Sequence, residues 1–426
     1  MVTQKTRLHI ADAVGIGVAA RSHEMAKTIL EGPFFDSQGT GNSRILGGGQ
    51  TTSTTAAFVN SALIHLLDFD DIHDFARLHP SAVVLPAALA AADLVGAGDK
   101  TVVDAVSLGS ELMCKLGVQF SPKGDGSGSG WFLTQLFGYF GAALAASIVL
   151  GLSREETVNS LGLAYMQAAG GKEAGFGTGS NARSIYPAFA AQCGLQAALL
   201  AFSGLTTPTT VLEGDAGFFE IYLDKVPSSY KQKMLCDFGH WHCLQTDMKP
   251  WPCCRLSQPY VEVALQAREV LQEYPAANIK ISINSSAARL CKPLPGRRCP
   301  ATIQDAKYSI PFMTAFALVH GMPTLLSLNT GCLGDAKVLR LARKIILDDS
   351  LQDNPGHPLA GLTLLDGNQP VMQFRFNPMT LVVDSSRAKI KFSECLEYAG
   401  RGEIANISWN LFLKGKITDG LRLASQ

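Results

Sequence analysis

No Cys-x-x-Cys pair occurs in this chain of 426 residues, although it carries 10 cysteines. Scattered thiols, with only Cys253 and Cys254 adjacent, offer no paired metal spacing and read as reduced residues in a cytosolic compartment. Charge is scarce as well, at 17% of residues against 47% hydrophobic. The 36 basic and 36 acidic side chains cancel, so the bulk attraction that a nucleic acid or membrane surface relies on is missing. No uninterrupted apolar run reaches the roughly 18–20 residues of a membrane span. Asp12 interrupts the apolar residues after Lys5 and Arg7, against a signal peptide. The Gly-rich segment 122–130, PKGDGSGSG, lacks the Gly-Lys-Ser/Thr ending of a phosphate loop and reads as a mobile loop near a site. What remains is a soluble, core-rich chain long enough for two or three domains.

The charge that is present gathers in one place. From Leu67 to Ala87 the chain reads LDFDDIHDFARLHPSAVVLPA, with Asp68, Asp70, Asp71, His73, Asp74 and His79 inside twelve positions. Carboxylates crowded together or partly desolvated shift one another's pKa, and a histidine among them serves as acid or base near neutral pH. A solvated loop between helices is the plainer reading of a charge run. Here the flanking segments look like buried helices, which favours a site.

The pattern around this stretch is helical. Residues 8–31 read as helix up to Gly32-Pro33, and 55–67 as a helix that ends in the aspartates. Pro80 is placed to open the next helix, 82–95, which is apolar nearly all round. Helices follow at 101–117, 137–150 and 187–204, with Ser153 and Glu156 forming a capping box. This predicts an all-helical domain over residues 1–256, to which 396–426 return. Residues 257–395 differ: helices at 260–273 and 308–321 accompany strands at 278–286, 371–377 and 380–393, an α+β unit. The fold class is therefore mainly α with a smaller α+β part.

Five segments carry a resemblance. HLLDFDDIHDFARLHPSAVVLPAALA, FGYFGAALAASIVLGL, ARSIYPAFAAQCGLQAALLA, MKPWPCC and AKYSIPFMTAFALVHG follow one another in the order of the MmgE/PrpD family. That family includes 2-methylcitrate dehydratase, cis-aconitate decarboxylase and iminodisuccinate epimerase, and the resemblance spans nearly the whole chain. It implies a helical domain with a smaller α+β lid, a site in the cleft between them, a homodimer, and no metal or organic cofactor.

Carried over position by position, the resemblance makes Asp68 and His79 the catalytic-region aspartate and histidine, and Lys249 the family lysine. Several positions depart. Ile72 stands where the decarboxylases carry threonine, Phe132 where a histidine is frequent, Arg183 where lysine is usual and Tyr186 where histidine is common. Phe312 replaces a tyrosine, although Lys307 and Tyr308 are close in sequence.

The family reactions share the breaking of a bond to a carbon beside a carboxylate or carbonyl. His79 is the candidate acid/base, with Asp68 orienting it or shifting its pKa. Lys249 and Arg183 are candidate clamps for a substrate carboxylate, with Asp70, Phe132, Tyr308 and Phe312 as further wall residues and Tyr186 as a second proton carrier. Lys249 also reads as a solvated lysine, Tyr186 as an ordinary core tyrosine, and Cys253 and Cys254 as inert buried thiols. Losing donors at Phe132 and Phe312 predicts a bulkier, less charged substrate from a specialised biosynthetic pathway. Two other readings stand beside the lyase or isomerase: a silent family member acting as a partner subunit, and a magnesium-dependent enzyme using DDIHD (70–74) as terpene synthases use DDxxD.

Overall fold

The computed structural model describes residues 1–120, 130–175, 179–223, 236, 239–354 and 356–426. The Gly-rich segment read as a loop, 122–130, lies outside the described residues except for Gly130.

Apolar residues collect in two cores. The first is helical: α1 (Val2–Ala20), α2 (Ser53–Leu66), α3 (Ser81–Val95), α4 (Asp99–Gln119), α5 (Leu133–Leu150), α6 (Arg154–Tyr165) and α7 (Tyr186–Phe202) bury apolar faces against one another, rich in alanine on α3, α5 and α7. Small residues set the spacing. A Cβ on Gly109 of α4 would lie 2.6 Å from the Gly141 carbonyl of α5, so the two backbones touch. Ser153 caps α6 through the expected box with Glu156. Helix α5 is long and apolar enough to cross a membrane, alone in this among the described residues, yet 83% of it is buried inside the protein. Thr134, Gln135 and Ser147 interrupt its apolar run, so it does not stand out as an unbroken apolar stretch in the sequence.

The second core surrounds a four-stranded sheet of β1 (Asn278–Ser282), β2 (Ile345–Asp348), β3 (Gly361–Asp366) and β4 (Gln369–Arg375), in the order β2-β1-β3-β4. β1 runs parallel to β2 and antiparallel to β3. α8 (Gln258–Glu273), α9 (Ile310–His320) and α10 (Ala336–Lys344) contribute to this core. β2 and β3 were not anticipated from sequence.

One expected strand is a helix. Residues 380–393 contain the end of a short 3-10 turn and the start of α11 (Ser385–Tyr398). Asp384 caps this helix by accepting the Arg387 N–H at 2.8 Å, and Ala388, Phe392 and Cys395 pack on the first core, not the second. Together with α12 (Gly402–Leu413) and α13 (Ile417–Ala424), α11 returns the chain to α1, so the return begins at 385 and not at 396.

Candidate active site

The site starts at the C-terminal end of α2. Asp68 adopts the left-handed conformation with φ 52°, uncommon outside glycine though tolerated by aspartate. Three successive carbonyls at this turn each accept from a buried lysine. Lys307 Nζ donates to Leu67 O at 2.9 Å, Lys249 Nζ to Asp68 O at 3.2 Å, and Lys391 Nζ to Phe69 O at 2.8 Å. Cations suit unsatisfied carbonyls at a helix C-terminus. Lys391 comes from α11, pairs with Asp12 at 2.8 Å, and lies 4.0 Å from the Phe69 ring centre.

Beyond this turn the carboxylates diverge. Asp68 pairs with Lys249 at 2.6 Å. Asp70 Oδ2 accepts from His65 Nδ1 at 2.8 Å, and its other oxygen lies 3.6 Å from Lys249. Asp71 accepts from His9 and Ser81. Asp74 takes Arg255 in a fork, at 2.9 Å and 2.6 Å. His73 donates from Nε2 to His242 O and accepts the Ala76 N–H on Nδ1, so both ring nitrogens are spent on structure. The three aspartates of DDIHD thus serve three different sets of protein donors and do not converge on one ion, which removes the geometric basis for the terpene-synthase reading.

His79 stands before α3, with its Nδ1 2.6 Å from Asp71 O. A carbonyl only accepts, so Nδ1 carries the proton and Nε2 keeps its lone pair. Asp70 Oδ2 lies 3.4 Å from the same Nδ1. Burial pulls the His79 imidazole down to about 4; Asp70 opposes this, and Lys249 and His65 add to it. The ring is neutral at pH 7. Burial would raise the Asp70 carboxyl, but His65, His79 and Lys249 hold it far below the usual carboxylate range. Asp68, also buried, is held down by Lys249 and His65.

A cavity of about 1030 Å³ lies between the two cores, lined by His65, Asp68, His79, Phe132, Arg183 and Tyr186 from one side and by Arg289, Arg297, Asp305 and Tyr308 from the other. Its wall is a layered stack. The Phe132 ring lies on Tyr186 with centroids 4.0 Å apart at 12°, and the Arg183 guanidinium lies 3.9 Å over the Tyr308 ring. An arginine over an aromatic face keeps its N–H edges available as a planar fork. The Tyr186 hydroxyl donates to Thr134 Oγ1 at 3.1 Å, and the same oxygen accepts the His79 backbone N–H at 3.1 Å. Burial raises both the Tyr186 and Tyr308 phenols, which keeps them protonated.

Sequence reasoning therefore placed Asp68, His79, Phe132, Arg183, Tyr186 and Tyr308 on one cavity, and three other assignments change. Lys249 is fully buried behind the wall, compensating Asp68 and Asp70, so it is neither a solvated lysine nor a clamp facing substrate. Asp70 is likewise buried beneath the imidazoles, not exposed to a ligand. Phe312 lies in the second core against Phe316, because α9 turns that face inward, and does not line the cavity. His65 was missed: it lines the cavity with its ring edge on His79 and Tyr186. Its signal was that it is the lone ionisable residue of α2, five positions before Asp70. Among the described residues, His65, Asp70 and His79 place donor atoms within 4.8 Å of one another, near enough for a metal ion. Both Nδ1 protons are already committed to oxygens there, so an ion would have to displace them.

A helical body and an α+β body enclose a cavity with a neutral, carboxylate-backed histidine, an arrangement suited to proton transfer. Residues 1–231 match the MmgE/PrpD N-terminal domain and residues 251–358 the MmgE/PrpD C-terminal domain. The chain belongs to the MmgE/PrpD family. It is similar to the cis-aconitate decarboxylase of Aspergillus terreus, with 28% identity over 341 residues that cover 75% of this chain and 68% of the relative. The human cis-aconitate decarboxylase is 27% identical over 331 residues (74% and 66%), and the mouse enzyme 25% over 372 residues (83% and 72%).

Proposed function

We propose that the chain is a lyase whose His79 moves a proton at a carbon next to a carboxylate, without a cofactor, on a substrate bulkier and less charged than a citrate-like acid. The observation that carries this is the presence, on one cavity, of a neutral His79 backed by Asp70 and of the Arg183 guanidinium over Tyr308. Arg183 takes the carboxylate, orienting the carbon and stabilising the charge that develops on it. In a dehydration or proton shift, His79 Nε2 accepts the proton as the C–H bond breaks and then gives it up, to the hydroxyl that departs as water when the C–O bond breaks or back to carbon. In a decarboxylation the carbon keeps the electron pair of the broken C–C bond as carbon dioxide departs, and Nε2, having first taken up a proton from solvent, passes that proton to the carbon. Asp70, 3.4 Å away, stabilises the imidazolium in either direction. The Phe132–Tyr186 wall and the volume of about 1030 Å³ favour a large apolar body.

The test is turnover. Purified protein is supplied with 2-methylcitrate, with cis-aconitate, and with monocarboxylates bearing large apolar substituents, and release of water or carbon dioxide is followed. Rates of about 1 s⁻¹ or more on either small acid would overturn the bulky-substrate reading.

A further inference from the structure

We propose that Asp71, clamped by His9 and Ser81, is a positioning residue that fixes the tautomer and aim of the His79 ring from the side away from the cavity. The inference rests on His79 as the proton-transfer group. None of the three residues lines the main cavity; they border a separate void of about 20 Å³ beside Lys5, Thr6 and Thr246.

The tautomer of a histidine is set by the partner of its other nitrogen. For His79 that partner is the Asp71 carbonyl at 2.6 Å. The rival acceptor, Asp70 Oδ2, is farther at 3.4 Å and is already taken by His65 at 2.8 Å. Where the ring points therefore depends on where the Asp71 carbonyl points. Residue 71 lies between α2 and α3, outside the helices; pairing of Ile72 and His73 with Asp247 and Thr246 ties the backbone after it, and the Asp71 carbonyl itself needs a further anchor. Its own carboxylate supplies one. Oδ2 accepts from His9 Nδ1 on α1 at 2.8 Å and from Ser81 Oγ on α3 at 2.5 Å, and Oδ1 accepts the Ser81 N–H at 3.2 Å. Ser81 is two residues after His79, so the clamp and the ring it aims form one small closed loop.

A carboxylate at the start of α3 would also stabilise that helix, and loss of stability alone does not separate the two roles. The readout must report on the ring. Asp68, Asp70, His65 and Lys249 face His79, while His9 and Asp12 of α1, with Lys391 of α11 behind them, face Asp71. A change in the clamp leaves all of the first group in place.

Ser81→Ala, Ser81→Thr and His9→Gln are prepared with ¹⁵N-labelled histidine. In the parent protein His79 is expected as a single Nδ1–H tautomer. Ser81→Ala should give a mixture, lower kcat about tenfold with KM nearly constant, and move the acid limb of the pH profile, and Ser81→Thr should restore all three. Wild-type tautomer and pH profile in Ser81→Ala overturn the proposal, whatever happens to Tm. If Ser81→Ala does not fold, His9→Gln is read by the same criteria. His79→Gln is assayed in parallel: activity retained there, with the tautomer still shifted in Ser81→Ala, sinks the catalytic assignment and leaves the positioning role standing.

Discussion

His65 and His79 meet edge to face over a single carboxylate oxygen. Their ring centroids are 4.9 Å apart at 67°, and Asp70 Oδ2 lies 2.8 Å from one Nδ1 and 3.4 Å from the other. The shorter contact fixes the carboxylate; the longer one leaves Asp70 free to strengthen its hold when His79 gains a proton. One buried anion thus supports two imidazoles unequally, and the less tightly held ring is free to titrate during turnover.

Replacing His79 by Gln is expected to lower kcat by at least about a hundredfold. Tm should stay nearly unchanged, because the glutamine amide can still donate toward the Asp71 carbonyl. Steady-state kinetics and a melting curve check both halves. Retention of most activity would move proton transfer elsewhere.

Asp70→Asn tests the shared carboxylate. It leaves the His79 imidazolium unsupported and Lys249 with one anion in place of two, so kcat should fall by about 10- to 100-fold. Lys249→Ala is expected to be worse for the fold, because two buried carboxylates lose their cation, at a cost of about 3–5 kcal/mol. Denaturant titration of the two variants measures the difference.

Arg183→Lys keeps a positive charge and loses the planar fork over Tyr308. KM for a carboxylate substrate should rise about tenfold or more, and Arg183→Leu should raise it further, with Tm little affected in either. A KM unchanged in both would remove Arg183 from the binding wall.

The pH dependence of stability and of activity should separate. His73 and His79 both have imidazoles brought down to about 4 from 6.5, chiefly by burial. Between those limits the unfolded chain binds more protons than the folded one, so stability is full above about 6.5 and falls as pH drops toward 4. The free enzyme nevertheless keeps His79 unprotonated through that window, so the acid limb of kcat/KM should lie near 4 and not near 6.5. Urea titrations and initial rates from pH 4 to 8 test this.

The helical body was legible because its signals are local. Apolar runs, the proline after His79 and the Ser153–Glu156 box each act within a few residues. Residues 380–393 were misread because Val382, Val383, Ile390 and Phe392 imitate strand composition, while the cap at Asp384 is one side chain among several polar ones. The cavity residues His79, Asp68, Arg183 and Tyr186 could be named from a family pattern. Where Lys249 and Phe312 point could not, since that depends on how two bodies dock. Lys391 gave no signal at all: the carbonyl that it serves is 322 residues away.

That distance has a consequence in time. Leu67, Asp68 and Phe69 leave the ribosome early, whereas the lysines that hold their carbonyls follow 240, 181 and 322 residues later. At roughly 5–20 residues per second, the nascent aspartate stretch waits tens of seconds before its last donor exists. Every residue that lines the cavity precedes residue 359. A chain halted at residue 384 would therefore contain the whole cavity wall and two of the three ammonium groups on its central turn, and lack the one that serves Phe69 O and Asp12. The turn is completed only when α11 is made, and a product that stops before it is expected to lose activity despite holding every residue that lines the cavity, which an assay of a chain ending at residue 384 checks.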